Sequence, residues 1–401
     1  MKRLRLAIIS THPIQYYAPL FSELERSRWI QPRVFFTWSQ SVSGAVHDPG
    51  FGREVRWDVP LLEGYEYEFV PNIAPRPGTE RFFGVRNPGL IHAIKRWNAD
   101  AVLVFGWNLA SHLQAMRYFK GRLPVFFRGD STLLDAKGVC RSAARRVLLR
   151  WVYRHIDVAL AVGSNNQDYF RWCGVPEQRI VVAPHAIDTG RFSDPHGRHQ
   201  ARAASWRAEL GIGPDARAVL FAGKFLRKKD PLLLLQAYLE CGAPGHLIFV
   251  GNGPLEESMR ACAGARTNIH FLPFQNQQAM PAVYRLAEVF ALTSRGPGET
   301  WGLAINEAMA SGRAVMVSSK AGGARDLVVP GQNGWLFQSG NRQQLAAALQ
   351  SALMRDPREL RRMGEAAQRH GARWSIEAAA ESIARAVIEF SLQKRHSHLL
   401  Q

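Results

Sequence analysis

Short apolar runs recur along this chain, separated by polar stretches of helical period. In the first half they fall at residues 4–10, 33–38, 65–70, 101–106, 125–128, 158–162 and 180–184. Each is short and bounded by turn residues, so each reads as a buried strand. Residues 11–26 turn helical after Pro19. A second series starts at 218–223 and continues through 247–251, 269–273, 289–293 and 314–318. Buried strands alternating with helices predict an α/β protein with parallel sheets. Between the two series, 194–213 turns polar and reads as a linker. The expected division is therefore an N-terminal domain over 1–195, a C-terminal domain over 214–375, and a helical end over 376–401. Residues 39–56 are rich in Gly, Ser and His without periodicity. They predict a long functional loop near the cleft between the domains.

The most informative stretch is 289–318. A short strand leads into the turn Arg295-Gly296-Pro297-Gly298, then an apolar helix over about 303–311, a stop at Gly312, and another strand. Strand, loop, helix N-terminus and strand is how a doubly wound sheet presents free N–H groups to an anion at its carboxyl edge. Glu299 lies in the loop and Glu307 on the helix. The neighbours of Glu307 at three and four residues are Leu303, Ala304, Ala310 and Ser311. None is basic, so no surface ion pair explains the acid. A solvated Glu on an outer face is the plain alternative.

Three other segments carry candidate chemistry. No GxGxxG follows the first strand; Ser10-Thr11-His12-Pro13-Ile14-Gln15 stands there instead. That excludes a dinucleotide fingerprint and leaves His12 and Gln15 at a strand end. His12 reads equally as a turn residue before proline. The run Pro124–Asp130 ends a strand with Arg128, Gly129 and Asp130 at its tip; Asp130 is a site candidate or a cap for the following turn. Finally, Gly223-Lys224-Phe225-Leu226-Arg227-Lys228-Lys229 closes the first strand of the second series with four cations. The tight turn Val250-Gly251-Asn252-Gly253-Pro254 closes the next.

Composition narrows the classes. A chain of 401 residues exceeds what one core usually holds. With 46% hydrophobic and 21% charged residues it is globular, and no apolar run reaches the length of a membrane span. The start MKRLRLAIIS has a basic beginning but too short an apolar run for a signal peptide, and reads as the first strand. Four scattered cysteines without CxxC spacing fit a reducing cytoplasm better than a disulfide framework or metal site. The formal charge of +18 asks for an anionic partner: nucleic acid, anionic lipid or a phosphorylated substrate. Arginine is spread along the chain rather than gathered in an aromatic-interleaved patch, which argues against nucleic acid. The segment 140–155 is a basic amphipathic helix, with Arg146, Arg150 and Arg154 at four-residue steps, flanked by Arg141 and Arg145. It can lie on an anionic membrane surface or pack on the sheet with its arginines solvated.

The stretch Glu299-Thr-Trp301-Gly302-Leu303-Ala-Ile-Asn-Glu307-Ala308-Met309-Ala310 resembles the Glu-x7-Glu signature of the retaining family 4 glycosyltransferases of GT-B fold. The resemblance implies two Rossmann-like domains facing each other across a cleft, the first binding acceptor, the second a nucleotide sugar. It implies that the last helix crosses back to the first domain. It gives Glu299 the donor-sugar hydroxyls and Glu307 the nucleotide ribose. Lys224 takes the family's Arg place and Lys229, with Lys228 as the neighbouring alternative, its Lys place; both would neutralise the donor diphosphate, helped by the N–H groups around Gly302 and Leu303. Gly251-Asn252-Gly253-Pro254 resembles a second donor-side motif. His12, Gln15 and Arg128 fall where the family has its acceptor or phosphate loop and a His near the reacting carbon; the departure leaves Asp130 or Arg128 for that place. After Pro184 the chain has His185-Ala186-Ile187-Asp188 where the family usually has Asn-Gly.

The expected activity is retaining sugar transfer from a nucleotide sugar, which is substrate and not cofactor, to a glycan or lipid-linked glycan. No Asp-x-Asp occurs, so the expectation is a metal-independent enzyme without a cofactor. It would work in the cytoplasm, docked on the inner face of the membrane, in bacterial envelope polysaccharide synthesis. The alternatives are another GT-B enzyme, such as a nucleotide-sugar epimerase or phosphorylase, or a non-catalytic basic scaffold.

Overall fold

A computed structural model describes residues 3–39, 46–135 and 139–399, without the side chains of 46–47, 139–142 and 393–399. Residues 40–45 of the expected loop, and the side chains of Cys140 and Arg141 in the basic helix, lie outside the described residues.

The strands are β1 (Leu4–Ser10), β2 (Ile30–Phe36), β3 (Val46–Asp48), β4 (Arg53–Val55), β5 (Glu66–Phe69), β6 (Ala101–Phe105), β7 (Val125–Arg128), β8 (Val158–Ala161), β9 (Ile180–Val182), β10 (Ala218–Ala222), β11 (His246–Val250), β12 (Ile269–Leu272), β13 (Val289–Leu292), β14 (Ala314–Ser318) and β15 (Gly334–Phe337). They build a seven-stranded sheet of order β5-β2-β1-β6-β7-β8-β9 and a six-stranded sheet of order β12-β11-β10-β13-β14-β15. Every pairing in both is parallel. Helices covering both faces explain the continuous apolar runs: β6, β7, β8 and β13 are buried at every position. In the first sheet Ile9, Val104 and Phe127 pack with Leu149, Val152 and Phe170 of the covering helices. In the second, Phe221, Phe249 and Met316 pack with Leu234, Leu345 and Leu349.

The chain divides into two compact units. The first holds the described parts of Met1–Ala45, Pro60–His185 and Ile376–Gln401; the second holds Val46–Val59 and Ala186–Ser375. Helix Ile376–Leu399 thus packs in the first unit, against helix Ala18–Glu25.

Two segments differ from their sequence reading. Residues 46–55 form an antiparallel hairpin, with Asp48 opposite Arg53, and belong to the second unit. Its strands are too short to give an alternating signal, and its turn is held by Asp48 Oδ1, which accepts the Gly50 and Phe51 N–H groups at 2.8 and 3.2 Å. The expected linker is mostly helix Arg198–Glu209. Its polar composition hides one buried face, where Ala203 and Arg207 lie, and Arg207 donates to the Leu286 carbonyl at 2.8 Å.

Candidate active site

In the second unit the donor-like elements converge at the carboxyl ends of β10, β11, β13 and β14. Two loop glycines there are required by close backbone approach. A Cβ on Gly251 would lie 2.0 Å from the Gly223 carbonyl oxygen, and one on Gly253 2.8 Å from the Phe225 nitrogen. Gly251 and Gly253 also have φ of 144° and 156°, beyond what side chains favour. The loop carrying Lys224 to Lys229 is therefore pressed against the 250–254 turn, and Phe225 N–H donates to the Asn252 carbonyl at 3.0 Å.

The loop after β13 is tied on two sides. Thr293 Oγ1 donates to the Lys229 carbonyl at 2.8 Å, and Arg295 N–H to the Lys228 carbonyl at 2.9 Å. Gly322 N–H donates to the Glu299 carbonyl at 2.9 Å, and Gly323 N–H to the Trp301 carbonyl at 2.8 Å. A Cβ on Gly322 would sit 1.7 Å from the Thr300 oxygen, so only glycine permits this contact. Gly302, at φ 96°, turns the chain into helix Leu303–Ala310, whose first N–H groups have no intrahelical acceptor.

This framework fixes the carboxylates. Glu299 Oε2 accepts from Lys229 Nζ and, at 2.7 Å, from Ser294 Oγ. Lys229, partly buried, is thus the cation that meets the loop acid, while Lys228 is exposed. Glu307 is no solvated surface acid: it is 2% exposed, accepts from Tyr284 OH at 2.6 Å, and has the Arg191 guanidinium 3.9 Å away. Lys224 Nζ pairs with Asp48 Oδ2 at 2.7 Å and lies 4.9 Å from the Phe51 ring centre. Burial works to raise the Asp48 pKa, but the hydrogen bond and charge of Lys224, with the two turn N–H bonds, hold it below the ordinary value. Arg295 pairs with Asp230 at 2.7 Å, and burial raises the Asp230 pKa despite it.

In the first unit the candidates gather at the carboxyl edge of β1, β6 and β7. Arg128 is buried and spends both terminal nitrogens on the chain: Nη1 donates to the Ala183 carbonyl at 2.7 Å and Nη2 to Pro184 at 2.9 Å. It therefore holds the 183–185 turn in place. Around it stand Asp130, Tyr17 and His185, with the Tyr17 and His185 rings stacked at 6.4 Å. Burial pushes Tyr17 up to about 12, with Asp130 adding to the rise and Arg128 opposing it. Burial, then the Arg128 charge, brings His185 down to about 4. Burial lowers Arg128 to about 10. His12 meets Trp38 edge-on at 5.8 Å, and burial lowers its pKa. Gln15 lies in the same turn, which closes with Tyr17 N–H donating to Ile14 O at 2.9 Å.

The structure thus brings Lys229, Glu299, Gly302 and Leu303 together, with Glu307 on the same helix. It gathers Arg128 and Asp130 separately, in the first unit. Sequence reasoning did not single out Asp48, Arg191, Ser294 or Tyr284 as site residues, and met His185 only as part of a turn. Asp48-Pro-Gly carried a turn signal; the others carry none, because each reaches its partner only through the fold.

Two sequence profiles match the chain: "Glycosyl transferases group 1" over residues 203–370 and "Glycosyltransferase Family 4" over 47–191. The chain belongs to the family 4, group 1 glycosyltransferases of GT-B fold. It is 34% identical over 216 residues to a D-inositol 3-phosphate glycosyltransferase of Segniliparus rotundus, a match covering 51% of this chain and 46% of that one. The chain spans about half the length of the curated relatives it matches. Among solved structures, Anabaena Alr3699/HepE in complex with UDP and glucose superimposes with a TM-score of 0.71 at 19% identity, covering 96% of this chain and 100% of the other. WaaG, a glycosyltransferase involved in lipopolysaccharide biosynthesis, does so with 0.63 at 16%, covering 95% and 99%. At such identities these two speak for the fold alone.

Proposed function

We propose that this protein transfers a sugar from a nucleoside diphosphate donor to an acceptor hydroxyl, with retention at the anomeric carbon and without a metal ion. The observation that carries the reading is the Lys229–Glu299 pair beside the free start of helix Leu303–Ala310. A donor diphosphate competes with Glu299 for Lys229 and releases the carboxylate to accept hydrogen bonds from sugar hydroxyls. As the anomeric C–O bond breaks, charge grows on the departing phosphate oxygen. Lys229, Lys224 and the N–H groups of Gly302 and Leu303 stabilise it without proton transfer. The sugar carbon passes through an oxocarbenium-like state. The phosphate then takes the proton of the acceptor hydroxyl, whose oxygen bonds to the anomeric carbon on the face the phosphate left. Glu307, oriented by Tyr284, binds the ribose hydroxyls. Asp130 is the polar group on the acceptor side, with His12 and Gln15 lining the acceptor or phosphate loop and Arg128 holding the edge in shape.

The same reading places the protein in the cytoplasm, on the inner membrane face, extending a lipid-linked glycan of the bacterial envelope. No described helix is long and apolar enough to cross a membrane. What supports surface docking is helix Val139–Tyr153: Leu149, Val152 and Tyr153 face the core, while Val147 and Leu148 are 70% and 50% exposed beside exposed Arg145, Arg146 and Arg150. Aliphatic side chains set among arginines are what an anionic interface holds.

The test is ligand-induced thermal shift across a panel of nucleotide sugars. UDP-glucose comes first, because the HepE neighbour was solved with UDP and glucose. The expected outcome is stabilisation by one donor, retained in EDTA and lost in Lys229→Ala. No shift with any nucleotide sugar, or a shift that requires manganese, contradicts the reading.

A further inference from the structure

The six-stranded sheet has a cavity at the end opposite the donor-like loops. Arg217, Glu288 and Arg313 line it from the positions just before β10, β13 and β14, so it opens at the amino ends of these strands. Ligands of open α/β sheets bind at the carboxyl ends. This cavity is therefore separate from the proposed donor site, and lies wholly within the second unit. Its volume is about 730 Å³, within the roughly 300–1,000 Å³ of ligand pockets.

Its lining holds five arginines against four acids. Arg207, Arg217, Arg285, Arg313 and Arg361 face Asp194, Asp215, Glu288 and Glu365. Two of these acids are already engaged. Glu288 accepts Ala218 N–H at 2.8 Å with one oxygen and Arg207 at 3.2 Å with the other, and Asp194 accepts Gln200 N–H at 2.8 Å. Arg207 and Arg285 are buried and fixed on backbone carbonyls: Arg207 on Leu286 at 2.8 Å, Arg285 on Pro281 and Phe192 at 2.7 and 2.8 Å. Arg313 donates through Nε to the Ser311 carbonyl at 3.0 Å. Burial lowers Arg313 to about 10; Glu288 opposes this, while Arg285, Arg207 and Arg361 add to it. Several guanidinium groups thus repel one another in a partly dry space, which an anion would relieve. A second observation points the same way. Ser311 is 2% exposed, lines the cavity, and its Oγ has no hydrogen-bond partner. A buried hydroxyl without a partner is costly unless a ligand or water completes it.

We infer that this cavity binds the phosphate group of a small phosphorylated metabolite, held by Arg313, Arg361 and the Ser311 hydroxyl. Ser311 caps helix Leu303–Ala310, whose other end begins at Gly302. The Ser311 end is the negative end of the helix, so the attraction for phosphate has to come from the arginines and not from the helix dipole.

Inorganic pyrophosphate is the probe, titrated calorimetrically into the full chain. Because the donor loop also attracts phosphate, the background is Lys224→Ala/Lys229→Ala. Pyrophosphate binding is expected to persist there. Adding Arg313→Gln or Arg361→Gln should weaken it about tenfold each, and Ser311→Ala about threefold, as expected for lost hydrogen bonds to a charged group. Arg361 is exposed, so its variant tests the site even if the Arg313 variant fails to fold. Binding that disappears in Lys224→Ala/Lys229→Ala overturns the inference. So does binding left unchanged by both Arg361→Gln and Ser311→Ala.

Discussion

The two units carry their polar groups in different ways. In the second, the candidate groups are opposite charges in contact: Lys229 with Glu299, Lys224 with Asp48, Arg295 with Asp230. In the first, they are groups drawn out of water around a guanidinium that is committed to backbone carbonyls: Tyr17 and His185 around Arg128, with the half-buried Asp130 beside them. The first arrangement suits a site that exchanges ion-pair partners when a charged ligand enters. The second is a rigid edge whose groups stay neutral or fixed. Ion-pair sites are best broken by deleting one partner, desolvated sites by changing pH.

The largest effect should follow deletion of the loop carboxylate. Glu299→Ala is expected to lower kcat by about 100-fold or more, on the scale of losing one preorganised polar group in an active site. Steady-state transfer assays measure it, and its melting temperature should stay near wild type because the loop is also held by Gly322 and Gly323 N–H bonds. Wild-type turnover in this variant would remove Glu299 from the site. Next comes Glu307→Ala, expected to weaken nucleotide binding by about 1–3 kcal/mol for a lost charged hydrogen-bonding group. Tyr284→Phe should lose less, since it removes only the bond that orients the carboxylate. Calorimetric titration with the nucleoside diphosphate separates the two, and equal affinities in all three proteins would contradict the ribose role.

What was legible in the sequence follows the same division. The strands of both sheets were readable because parallel strands covered on both faces are continuously apolar. The Glu299–Glu307 stretch was readable because glycines and acids converge on one helix start. β15 was not, since its positions are only partly buried at Trp335 and exposed at Leu336, and it sits at the sheet edge. The 46–55 hairpin was hidden by the shortness of its strands, and its Asp48 by sequence distance from Lys224. Helix Arg198–Glu209 was hidden by its composition: one buried arginine satisfied by carbonyls looks, in sequence, like any solvated one. The first unit's edge was legible only at Arg128 and Asp130, which end a strand, and not at Tyr17 and His185, which act through burial that residue type alone does not announce.

The pH test applies to that edge. Burial takes His185 from 6.5 to about 4, and does the same to His112, whose ring lies at the end of β6 within 3.0 Å of Thr37 Oγ1 and the Gly106 carbonyl. The unfolded chain therefore binds protons near 6.5 that the folded chain refuses until about 4, and stability falls as pH drops through that window. The urea midpoint should decline between pH 7 and 5, and more gently in His185→Gln. An identical decline in that variant would show that His185 is not held neutral. The smallest effect is at the surface. Neutralising Arg146, Arg150 and Arg154 together should release the protein from anionic liposomes, at about 1 kcal/mol per arginine near the membrane. Raised salt should do the same by screening. A wild type that ignores such liposomes at low salt would reduce the helix to ordinary packing.

The central claim is that Lys229 and Glu299 serve the donor as one unit. A double-mutant cycle on turnover with the identified donor tests it most directly, using Lys229→Ala, Glu299→Ala and both together. The account predicts that the double variant loses little more than the worse single one, because each residue depends on the other. Losses that simply add would contradict it.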